Sequence, residues 1–152
     1  MRDKRFVAEH RGGSLTKEQH YQLIKWACDC SGHVLYISEI NGRLKNALEV
    51  AHAWENGNAS VGDARNASLD AIAVARESSD QTAILVARSV GHAVATAHMA
   101  DHSLRAAWYA LKVVKNLGNS INAEKTWQNE QLPPEIKELV LTAREAKKFQ
   151  KI

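Results

Sequence analysis

GHAVATAHMADHSLRAAWYALK, residues 91–112, is the stretch on which the fold turns. Small residues fill its first half, Met99-Ala100-Asp101 is a turn signal, and the segment closes on the aromatic pair Trp108-Tyr109. It predicts the end of one helix, a turn near Asp101 and the start of another. Into that frame it sets His92, His98, Asp101 and His102.

Working outward, the same small-residue spacing recurs. Ala47, Ala67, Ala87 and Ala107 stand 20 residues apart. Four residues on come Ala51, Ala71, Gly91 and Leu111, and two further on Ala53, Ala73, Ala93 and Val113. Turn signals keep the interval, at Gly57-Asn58-Ala59-Ser60, Ser78-Ser79-Asp80, Met99-Ala100-Asp101 and Gly118-Asn119-Ser120. Ser60, Asp80, Asp101 and Ser120 are residue types that accept from the free N–H groups of a first helical turn. This predicts consecutive helices of about 15 residues, and the short turns make neighbours antiparallel. Alanine and glycine four apart let the helix backbones approach closely. Two helices span about 40 residues, the unit of HEAT-like repeats, so the interval is either a structural repeat or a coincidence of an alanine-rich chain. The expected fold is all-α, an antiparallel bundle or a short HEAT-like array of about six to seven helices.

The flanks agree. Thr16 with Gln19 makes a capping box before a helix running to about Leu35. Gly42 precedes a helix ending at Gly57, and a short helix covers about Ala123 to Gln131. Pro134 suits the first position of a last helix, whose stripe is Ile136, Leu139, Val140 and Ala143. No strand pattern competes.

With 152 residues the chain is one domain. No apolar run approaches the about 20 residues of a membrane span, and the charged start MRDKRF is not a secretory signal, so the expected location is cytoplasmic. The net charge of +3 is unevenly placed. Residues 1–11 and 146–152 hold seven bases against two acids, leaving +5 on the tails and −2 on residues 12–145. Nucleic-acid binding needs a basic stripe on a folded surface, so the charges read as solvated tails and neither nucleic acid nor membrane is expected as partner. The domain expectation is therefore a flexible basic segment at 1–13, an all-α domain at 14–147 and a basic tail at 148–152. Cys28 and Cys30 point apart on a helix and read as buried thiols.

The candidate chemistry lies in His92, His98, Asp101 and His102. His98 and His102 are i, i+4, the spacing at which two imidazoles on one helix can share a metal, with Asp101 as a third ligand. That would make a metal-dependent hydrolase. Against it, the turn at residues 99–101 interrupts the helix. The plainer reading has Asp101 capping the helix that starts at His102, and His98 covering carbonyls of the helix before it. His92 on a small-residue face needs a partner if buried, and Asp29, Asp101 or Tyr109 could supply one. Trp26, Trp54, Trp108 and Trp127 read as core anchors, with one ring of Trp108-Tyr109 free to reach a partner. No G-x-S-x-G elbow or phosphate loop is present; catalytic residues, bound metal and cofactors are all expected to be none.

The order LIKWACDCSGHVL, NALEVAHAWENG, VGDARNASLDAIAVAR, GHAVATAHMADHSLRAAWYALK and QLPPEIKELVL resembles a family of small helical bacterial proteins termed putative immunity proteins, associated with polymorphic toxin systems. The likeness spans about residues 15–141. It departs at YISEINGRL, where members often carry a proline-containing acidic stretch. The resemblance implies a non-enzymatic all-α protein that binds and neutralises a cognate protein toxin. The partner-binding candidates are then the polar cluster His92, His98, Asp101 and His102 with Trp108 and Tyr109, and the turns at 57–60 and 97–102, which an up-down arrangement puts at one end.

Overall fold

A computed structural model describes residues 2–35 and 42–152. Most of the YISEINGRL departure, residues 36–41, lies outside the described residues. The helices are α1 (Lys17–Leu35), α2 (Gly42–Glu55), α3 (Val61–Glu77), α4 (Gln81–Ala95), α5 (His102–Asn116), α6 (Ile121–Glu130), α7 (Pro134–Ala143) and the single turn α8 (Lys147–Gln150). Among the described residues seven thus have ten residues or more, in line with the six to seven expected, and α8 adds one turn. Among the described residues there is no strand; the one extended contact is a parallel bridge between Ala8 and Leu15. No described helix is long and apolar enough to cross a membrane.

Local chemistry starts these helices where the sequence places them. Thr16 Oγ1 accepts from Gln19 N at 3.1 Å while Thr16 N donates to Gln19 Oε1 at 2.9 Å. Ser60 and Asp63 make the same reciprocal box at 3.0 Å each way. Asp80 and Ser120 cap α4 and α5's successor α6 from one side only. Each such cap stabilises its helix by about 1 kcal/mol. Pro134 opens α7 at a position whose N–H would have no helical partner.

The positions of the 20-residue interval lie inside the protein. Ala47, Ala67, Ala87 and Ala107 are buried, as are Ala51, Ala71, Gly91 and Leu111. Gly91 marks a close approach, since a Cβ there would stand 3.2 Å from Ile72 Cγ1, and Ser68 Oγ donates to the Gly91 carbonyl at 2.9 Å. Helix α4 packs on α3, α5, α1 and α2, and α1 reaches α5 and α7 as well. A linear array brings only neighbouring units together; contact between the first helix and the fifth closes this one into a bundle. A buried hydroxyl relay joins the same helices. Ser89 Oγ donates to the Ala106 carbonyl at 2.8 Å, so its 2.7 Å contact with Ser31 Oγ takes the Ser31 proton.

A second core sits beside the first, built from Leu23, Trp26, Leu104, Ile136 and Val140 together with Phe6, Leu15 and Phe149. Its polar centre is Gln128, which donates to the Ala107 carbonyl at 3.1 Å and accepts from Arg144, while its own carbonyl takes Trp26 Nε1 at 2.8 Å. The terminal segments differ from the expected tails. Phe6 and Phe149 are buried, Arg5 reaches Thr142, and Trp108 Nε1 donates to the Lys151 carbonyl. The charge count hid two apolar anchors, each of which gains by leaving water.

Candidate functional site

Helix α4 ends at Ala95 and α5 starts at His102, so His98 and His102 do not share a helix. The structure still gathers the histidines. His92 Nδ1 and His102 Nδ1 stand 2.9 Å apart, and the rings of His98 and His102 lie 5.5 Å apart. Tyr109 stacks on His92 at 5.4 Å. One nitrogen of the His92–His102 pair must donate and the other accept, so the two rings hold opposite tautomers. The pair can carry one positive charge and keep its bond; a second proton would set two N–H donors face to face. Burial first, then the charge of His102 and of Arg105 and Arg88, lowers His92 to about 4. Burial also lowers His102, against the pull of Asp101.

Two expectations for this cluster are corrected, and the rival metal reading is tested. Asp101 occupies the position before α5, but its backbone is already helical (φ −70°, ψ −13°) and its side chain caps nothing; a capping side chain needs an extended backbone. Its carboxylate instead accepts from Arg2 at 2.8 Å. His98 does not cover the end of α4 either, and its Nδ1 is buried without a partner among the described residues. That work falls to His20 of α1, whose Nε2 donates to the Thr96 carbonyl at 2.6 Å. Finally, among the described residues no group of three or more His, Cys, Asp or Glu side chains is placed to hold a metal ion, and the metal-dependent hydrolase loses its geometric basis.

Trp108 packs on the second core, and its ring meets Tyr109 edge-on at 5.0 Å. Arg105 and Lys112 cover it at 4.7 and 4.3 Å. Of the four tryptophans only Trp26 is fully buried; Trp54, Trp108 and Trp127 are partly exposed. Burial pushes both cysteine thiols up, which leaves neither poised as a thiolate.

A concavity opens beside the cluster, with a volume of about 620 Å³. The turns around 59–61 and 97–101 meet there, so the two loop ends singled out in the sequence do lie together, and His98 and Asp101 are on its wall. Trp54 forms the aromatic part, edge-on to His20 at 5.0 Å and to Tyr21 at 5.1 Å. The N-terminal segment forms another wall, contributing Arg2 and residues 6–11. Sequence reasoning did not find this wall, nor His20, Tyr21 and Trp54 as neighbours of the 97–101 turn. The available signal was Phe6 and Leu15, apolar side chains among charges.

A family model described as Imm-5 like putative immunity protein matches residues 13–135. Neither the curated proteins nor the solved structures contain a match to the chain.

Proposed function

The chain belongs to the Imm-5 like putative immunity protein family, and from that membership we propose that it binds a cognate bacterial toxin in the cytoplasm and neutralises it by occlusion, without chemistry of its own. The family match carries the reading. The contact surface we assign is the end of the bundle where the 57–60 and 97–102 turns border the cleft. His98 and Asp101 belong to that surface, while His92, His102 and Tyr109 stand behind it and set the shape of the 96–101 turn.

Co-expression with each toxin gene adjacent to its own is the test. Restored growth together with a stoichiometric complex is the expected result. Failure of every such toxin to be rescued, with no complex in any pairing, overturns the proposal.

A further inference from the structure

We infer that the cleft receives a short segment of the partner carrying an aromatic side chain between carboxylates, and that the N-terminal segment selects it. The identity of the occupant as a protein rests on the toxin-binding reading above. The cavity's about 620 Å³ falls within the about 300–1,000 Å³ of sites that enclose a ligand, with room for more than one side chain. Its aromatic part is Trp54 with His20 and Tyr21 edge-on to it, the arrangement in which a further ring finds both faces and edges. Val61 and Met99 extend the apolar surface.

Charge sets the second half of the specification. Asp101 is held by Arg2. Among the described residues Arg11 and Lys17 have no carboxylate partner; Arg11 touches Met99 Sδ and Lys17 lies over the Tyr21 ring, while Glu9 is the one lining acid left unpaired. The lining histidines feel the surplus. Burial first, then His102, Arg65, Arg11 and Arg2, holds His98 below the ordinary imidazole range. Burial, and beyond it His10 and Arg11, does the same to His20 against the Thr96 hydrogen bond. An entering carboxylate meets a positive field. The wall that carries Arg11 lies before residue 13, where the family match begins. A shared body with a wall outside the family match is a means of choosing one partner among related ones.

The test uses the full chain and three peptides: acetyl-Asp-Trp-Asp-amide, acetyl-Asn-Trp-Asn-amide and acetyl-Asp-Ala-Asp-amide. Titrations followed by NMR should move the Trp54 indole signal with the first peptide. Two exposed ion pairs predict about fivefold tighter binding than the uncharged twin, and the alanine peptide should not bind. Arg11→Glu and Lys17→Glu should erase the charge preference, and Lys112→Glu, outside the cleft lining, should keep it. Equal affinity for the Asp and Asn peptides, shifts away from Trp54, or no binding at 10 mM (about the weakest useful contact) would overturn the inference. So would a dimer that covers Trp54, with a second copy as occupant. If toxin rescue fails while the peptides behave as described, the function falls and the cleft stands. If rescue succeeds and Arg11→Glu with Lys17→Glu leaves toxin Kd unchanged, the cleft falls and the function stands.

Discussion

Acidification should destabilise this protein through His92, by an amount the geometry sets. Well above pH 6.5 the imidazole is neutral in both the folded and unfolded chain and contributes nothing to the pH dependence. As pH falls, the unfolded imidazole takes up a proton near 6.5, whereas the folded one resists until about 4. The unfolded state therefore binds more protons across that window, and stability is lost as pH falls. The whole interval corresponds to about 3 kcal/mol, of which about 2 kcal/mol is lost between pH 7.5 and 5. Urea unfolding at each pH measures it. His20, His98 and His102 add acid sensitivity of their own, so the comparison is with His92→Asn, whose amide can still face His102 Nδ1 from the same helix position. The variant's stability should fall about 2 kcal/mol less than the wild type's over the same range. Parallel curves would refute the argument, because the burial and pairing of His92 would then have no energetic counterpart.

Gly13 is a steric requirement: a Cβ there would lie 2.0 Å from the Val7 carbonyl oxygen, which no rotamer relieves. Gly13→Ala should free the N-terminal segment, seen as faster amide exchange at Leu15, whose N–H bonds the Val7 carbonyl, with α3 and α4 unchanged. Replacing the hub of the second core, Gln128→Leu, takes the second bond from the Ala107 carbonyl and leaves the buried Arg144 with Asn129 alone, and a cost of about 2 kcal/mol is expected in urea unfolding; less than about 0.5 kcal/mol would show that the hub is dispensable. Cys28 and Cys30 are buried with raised thiols, so a thiol reagent should label neither until the chain is unfolded, and rapid labelling of the native protein would contradict that packing.

What the sequence disclosed was governed by short-range chemistry. Thr16 with Gln19 and Ser60 with Asp63 sit three residues apart, so their capping boxes are legible from spacing alone, and each is present. The alanine interval is legible for the same reason, since it reflects which face of each helix meets a neighbour. Asp101 has the residue type of a cap but not the backbone, and conformation in the 96–101 turn depends on how α4 and α5 pack. Its actual partner, Arg2, lies 99 positions away. The cleft escaped notice for a related reason. Its lining draws on α1, α2 and the N-terminal segment, and no local pattern ties those together. Net charge also misdirected the reading of the termini, because it counts the lysines and arginines and overlooks Phe6 and Phe149.

The ties that hold the N-terminal segment have a consequence for synthesis. Arg2 meets Asp101 across 99 residues, and Arg5 meets Thr142 across 137. Translation proceeds from the N-terminus at about 5–20 residues per second, so this wall leaves the ribosome first and waits longest for its place. Its anchors on the 96–101 turn and on α7 do not exist until most of the chain has been made. A half-finished chain has helices but no cleft. Any activity that needs the cleft then resides in molecules completed beforehand, and chains still being made add nothing to it.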